Sequence, residues 1–121
     1  MATSKIDKSN WQAYCDQLSK TLTGTSAEIE IDSLAIGQQL EAKWLPFLGI
    51  VYEPKTNTIE ILVEGLDHII HDPQELYVDY DAVGLTSLEV ISEDDVRQIV
   101  KLRQPVMLPP PAAGTGIGPR A

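Results

Sequence analysis

One stretch, Trp44 to Pro73 (WLPFLGIVYEPKTNTIEILVEGLDHIIHDP), constrains the fold more than any other. Two apolar, β-branched runs, Phe47 to Tyr52 and Thr58 to Val63, flank the turn Glu53-Pro54-Lys55-Thr56-Asn57. Pro and Asn set turn dihedrals, and a loop of this length commonly closes a hairpin. Side chains alternate along a strand, so Leu48, Ile50 and Tyr52 share one face of the first strand, and Ile59, Ile61 and Val63 one face of the second. Val51 and Leu62 fall on the opposite faces. A hairpin apolar on more than one side is expected to be central and covered. Directly after it comes Gly65 to Pro73, where both histidines and several carboxylates gather.

The 121 residues fit a single domain, long enough to bury a core without cross-links. One cysteine, Cys15, rules out an intramolecular disulfide and suits a reducing cytosol. The N-terminus has no apolar run of the signal-peptide kind, and no stretch reaches the ~20 apolar residues of a membrane helix. A soluble, cytoplasmic protein is expected. The net charge of −9 opposes nucleic-acid binding and docking on anionic lipid, since both need a basic surface. Arg97, Lys101 and Arg103 are the place where a local basic patch would lie. A solvated strand face is the simpler reading of them.

Residues 1–6 read as a flexible arm. Asp7 or Ser9 caps a helix over about residues 8–22, on which Trp11, Tyr14, Leu18 and Leu22 form one apolar stripe, with Gly24 as its stop. Cys15 lies beside that stripe and reads as a structural thiol. Ala27 to Asp32 alternates as a strand with one wet face, and Leu40, Ala42 and Trp44 mark a second. Pro46 cannot donate to a ladder, so one long strand bent near it leads into the hairpin. Strands follow around Leu76-Val78-Tyr80 and Leu88-Val90, and a last one runs from Val96 to Leu102. Pro105 opens a Pro- and Gly-rich extension.

The fold class is therefore α+β: an N-terminal amphipathic helix followed by a mostly antiparallel, strongly bent sheet or small barrel of the SH3 or Sm kind, with a Pro-rich C-terminal extension. An open sheet with the helix on one face is the alternative. Residues 7–108 form the single α+β domain, and 109–121 a disordered Pro/Gly-rich tail.

Few residues carry chemistry. His68 and His71, flanked by Asp67 and Asp72, share a face on a helical turn and could then hold a metal; on a strand they point apart. The competing reading is a short turn capped by Asp67. Acidic pairs such as Glu28 with Glu30, and Asp79 with Asp81, read as the wet faces of strands. Ser92-Glu93-Asp94-Asp95 lacks the glycine and terminal Glu of a calcium loop. No phosphate-loop, dinucleotide, nucleophile-elbow or zinc-protease motif occurs. No cofactor is expected.

The segments DKSNWQAYCDQLSK, AEIEIDSL, EAKWLPFLGIVYEP, EILVEGLDHIIHDPQELYV and LEVISEDDVRQIVKLRQPVMLP resemble a family of small bacterial proteins known only as a domain of unknown function. The resemblance covers about residues 5–109. Gly65 to Ile70 and Val96 to Val100 are its most specific parts. It implies a bacterial cytosolic protein and no particular activity, so it supplies no catalytic residues.

Two functions remain. One is a non-enzymatic protein-interaction or regulatory module, homodimeric or bound to another protein. Its apolar contacts would come from Trp44, Phe47, Val106, Met107 and Leu108, because aromatic and Met side chains are enriched at interface cores. The other is a small metal-binding protein or enzyme centred on Asp67, His68, His71 and Asp72. A nucleic-acid-binding barrel is a third idea, and the charge counts against it.

Overall fold

The computed structural model describes residues 2–107. Leu108 and the 109–121 tail lie outside the described residues. The chain opens with strand β1 (Ala2–Ile6), a 3-10 turn (Lys8–Asn10) and helix α1 (Trp11–Leu22). The Asp7 carboxylate accepts from the Ser9 amide and caps the turn. Trp11, Tyr14, Cys15, Leu18 and Leu22 are buried, which is the stripe the helical spacing predicts together with its neighbouring cysteine. Gly24, at φ +91°, ends the helix, and its amide donates to the Phe47 carbonyl.

The remaining strands are β2 (Ser26–Ser33), β3 (Gly37–Glu53), β4 (Thr58–Val63), β5 (Leu66–His71), β6 (Pro73–Tyr80), β7 (Leu85–Ser92) and β8 (Arg97–Val106). All pairings are antiparallel, in the order β1-β6-β7-β8-β2-β3-β4-β5. β1 and β5 are the two ends of this sheet, and no ladder joins them. The closed SH3- or Sm-like barrel is therefore not formed. The sheet is open by hydrogen bonding and strongly bent.

The bend is in β3, the long strand that Pro46 leads one to expect. Its first part pairs with β2 as far as Pro46, and its last part, from Phe47, pairs with β4. Trp44 sits at φ +51°, in the left-handed region that a bulky residue rarely occupies. A β-bulge falls between Phe47 and Gly49. The extra residue moves the face by one position. Phe47 is thereby turned into the core, and Leu48 is turned out to solvent at 52% exposure, against the expectation that Leu48 lies with Ile50 and Tyr52. Past Pro46, β3 has lost β2 as a neighbour, and α1 covers its open side. Ser19 Oγ accepts from the Ile50 amide and donates to the Ile50 carbonyl, both at 2.8 Å. A helix hydroxyl thus satisfies a strand edge that would otherwise be exposed or orphaned.

The core lies between the inner faces of the two halves and the helix. Phe47, Ile50, Ile59, Ile61 and Ile70 pack there with Leu76, Leu88, Val90 and Val100. The Trp11 ring meets Tyr52 edge to face at 5.1 Å, and its indole N–H donates to the Ile6 carbonyl.

Three further expectations change. Residues 2–6 are not a loose arm: they form β1, paired with β6 from Ala2↔Tyr80 to Ile6↔Leu76, with Ile6 buried. The last strand runs on through Pro105 to Val106, which pairs with Leu85. The 66–71 segment is a strand, not a capped helical turn, and Asp72 at φ +52° is the corner that passes the chain from β5 to β6. The Asp72 amide donates to the Asn57 carbonyl, and its own carbonyl accepts from the Glu93 amide.

Candidate functional site

The strand at 66–71 decides the fate of the histidine cluster. On β5, His68 pairs with Ile61 and faces inward, where its ring contacts the Gln98 side chain of β8. His71 pairs with Thr58 on the outer face and is exposed. Asp67 is also on the outer face, and Asp72 sits at the corner. The four candidates are therefore split between two faces and a turn. Among the described residues, no group of three or more His, Cys, Asp or Glu side chains is placed to hold a metal ion.

Cys15 is fully buried, and burial pushes its thiol up to about 12. Burial thus favours the protonated thiol over the reactive thiolate. Tyr14 and Tyr80 share a buried hydroxyl–hydroxyl hydrogen bond of 3.0 Å. Burial raises both phenols above their ordinary value.

The basic residues of β8 are engaged. Arg97 pairs with Glu89 at 3.0 Å, and Lys101 with Glu30 at 3.2 Å. Arg103 lies over the Trp44 ring at 5.8 Å. Arg103 also lines a cleft of about 310 Å³ with Thr25, Ser26, Gln104, Pro105 and Val106. Of the apolar contact candidates, Trp44 and Val106 are thus half-buried near this end of the sheet, and Met107 is exposed. Phe47 has no exposed surface and belongs to the core. Leu108 lies outside the described residues.

The largest departure from expectation is the face behind the central hairpin. On the outer side of β3, β4 and β5, Leu48 is 52% exposed, Val51 44% and Ile69 47%, with Leu62 half-buried among them. Val51, Glu60 and Ile69 form one row across the three strands. The hairpin is apolar on both sides, as the sequence indicates, yet its outer side leaves Leu48, Val51 and Ile69 exposed. Glu60 and Asp67 lie on the same face. A hydrogen bond shared with Asp67 raises the Glu60 carboxyl above its ordinary value. This face ends at β5, a terminal strand of the sheet. Sequence reasoning singled out Val51 and Leu62 as opposite-facing but assumed a cover for them. The signal it passed over was the second alternation in LDHIIH, which puts Ile69 beside them.

A second exposed apolar group, Leu34, Ile36 and Leu40, sits at the tip of the β2–β3 hairpin. A shallow cleft lined by Asp32, Ser33, Leu34, Ile91, Asp95 and Arg97 adjoins it. No helix among the described residues is long and apolar enough to cross a membrane.

The model of the family described as "Family of unknown function (DUF5335)" matches residues 2–111, a span that takes in every strand from β1 to β8. An uncharacterised protein of Aquifex aeolicus (strain VF5) is 36% identical over 110 residues, which cover 90% of this chain and 99% of that relative. No solved structure matches. With the family model and a relative both spanning the helix and the whole sheet, the chain belongs to the DUF5335 family, whose function is unknown.

Proposed function

We propose that this chain is a non-enzymatic protein-interaction module, and that its contact surface is the outer face of β3, β4 and β5. One observation carries the reading: Leu48, Val51 and Ile69 are exposed and Leu62 half-buried on one face, interleaved with Glu60 and Asp67, and that face runs out to a terminal strand. Exposed apolar side chains clustered on one face and bordered by polar ones mark contact sites. A terminal strand next to it adds backbone donors and acceptors that another strand can pair with. The hairpin tip at Leu34 and Ile36 has exposed apolar side chains too, beside the part of β3 that pairs with β2 alone, but they lie on a turn and not across three strands. A single buried, unpaired thiol fits a module working in a reducing cytosol.

The test is amide NMR of the labelled chain, first on raising its own concentration and then on adding a cleared extract of its native cells. The reading expects shift changes or broadening concentrated on residues 48–71, abolished by Val51→Lys. Perturbation confined to the helix or to β6–β8, with residues 48–71 unmoved in both series, would sink it.

A further inference from the structure

β5 has properties that narrow the partner. The β4–β5 turn is the two-residue step Glu64-Gly65, with Val63 paired to Leu66 and Gly65 at φ +83°. In an antiparallel ladder, hydrogen-bonded and non-bonded pairs alternate. The pair closing so short a turn is hydrogen-bonded, so Leu66, His68 and Ile70 spend their backbone groups on β4. The far end of the ladder gives the same phase, because the Asp72 amide donates to the Asn57 carbonyl. The N–H and C=O groups of Asp67, Ile69 and His71 therefore point away from β4, along the open edge. These three residues also carry the outward side chains, and all three are exposed.

Of the usual edge protections, β5 has a single exposed carboxylate, Asp67, and among the described residues no strand pairs with its outer side. Chains commonly blunt an edge strand with lysine, proline or a bulge. β5 contains no lysine, arginine or proline, and its register with β4 has no shift. At the other end of the sheet, β1 carries Lys5 and is only five residues long.

We propose that the occupant of this edge is a second copy of the chain, pairing β5 with β5 antiparallel about a two-fold axis at Ile69. The proposal rests on the reading of this face as the contact surface. The sequence of the edge is self-complementary in that register. Ile69 meets its own symmetry mate, and Asp67 meets His71 of the other copy, twice. Each of the three residues then donates and accepts one backbone bond, because the open-edge groups of both copies are in phase. The row Val51-Glu60-Ile69 continues into Ile69-Glu60-Val51 of the second copy, joining two apolar faces across the axis. The contact also sets the His71 imidazole beside a carboxylate that already shares a hydrogen bond with Glu60 on its own face. A register one residue away would put the open-edge groups out of phase and turn the apolar rows to opposite sides.

The experiment is sedimentation and light scattering of the full chain from micromolar to millimolar concentration, with charge swaps. The wild type is expected to reach twice the monomer mass as concentration rises. Asp67→Lys and His71→Asp alone should each weaken the dimer about tenfold, since each removes or opposes two symmetric contacts. The double variant, with the charges exchanged, should restore it. Ile69→Lys should leave a monomer. Three results overturn the proposal: a wild type that stays monomeric at every concentration, a dimer indifferent to all four variants, or a double variant as weak as the singles. The first would still leave residues 48–71 to respond to cell extract, so failure of the second copy is distinguishable from failure of the contact face.

Discussion

The two outer faces of this sheet obey different rules. On β2, β7 and β8 the outward positions close on one another: Glu30 takes Lys101, Glu89 takes Arg97, and Ile99 sits half-buried between Glu30 and Glu89. On β6, Asp79 accepts from Thr3 of β1 and Ser87 of β7, and Tyr77 donates to Glu75. On β3–β5 the equivalent positions include Leu48, Val51, Leu62 and Ile69, and the acidic pair among them, Glu60 and Asp67, meets no cation in a salt bridge among the described residues. Both halves feed the same core, and their inner faces are equally apolar. Solvent tolerates either kind of surface at modest cost, and under the proposed function the exposed apolar side chains of β3–β5 are the ones left for contact.

The strongest test of this contrast uses two adjacent residues. Phe47→Ala empties a fully buried site where β3 bends, and should cost about 3–5 kcal/mol of stability in chemical denaturation. Leu48→Ala, one residue on, should fall within about 0.5 kcal/mol of wild type, because its side chain faces solvent. Equal costs would mean that the bulge does not invert the faces as described.

That bulge also marks where sequence stopped predicting structure. The helix was legible because Trp11, Tyr14, Leu18 and Leu22 recur at its period, and β2, β4 and β6 because each alternates without interruption. The long bent β3 was legible from Pro46. The position of the bulge was not, and a slip of one residue exchanges every face beyond it. β5 was ambiguous because LDHIIH has an apolar residue on each face and a histidine on each face, so period alone could not choose strand over turn. β1 was missed because Ala2 to Ile6 buries only Ile6; its pairing is set by β6, far along the chain. The candidate site suffered from the same gap: the two histidines part company as soon as the segment is a strand.

Where the last strand ends, Gly84 gives a second large effect. A Cβ there would overlap the Val106 carbonyl, which closes on the Asp81–Gly84 turn beside the Leu85↔Val106 pair. Gly84→Ala should cost about 1–3 kcal/mol. Hydrogen exchange should quicken at Leu85 and Val106 while β4 and β5 stay protected. Loss of protection across both halves alike would show that this end of β8 is not an independent closure.

Ser19 tests the junction between the halves. Ser19→Ala leaves the Ile50 amide and carbonyl without their helix partner. The cost should be about 1–2 kcal/mol, the low side of the range for orphaned buried groups, since Ser19 is half-buried. Ser19→Thr keeps the hydroxyl and should recover most of it. If Ser19→Ala is silent, water replaces the hydroxyl and the edge of β3 is more open than the helix packing implies.

The smallest effect returns to the outer faces. Arg97 and Glu89 are joined at 3.0 Å, but the Arg97 side chain is 51% exposed. A double-mutant cycle should give a coupling below about 1 kcal/mol that shrinks further in salt. Val51→Lys on the other half should be as quiet in monomer stability, since Val51 touches the core no more than Arg97 does. The two substitutions part only in association: a changed charge on β8 leaves the face of β3–β5 intact, whereas one lysine at Val51 replaces an exposed apolar side chain on the face that reaches Ile69. Matching stability with diverging self-association would locate the purpose of the asymmetry outside the folded monomer. If reversing the charge of Arg97 weakened association as much as Val51→Lys does, the charged half would be the surface that partners read.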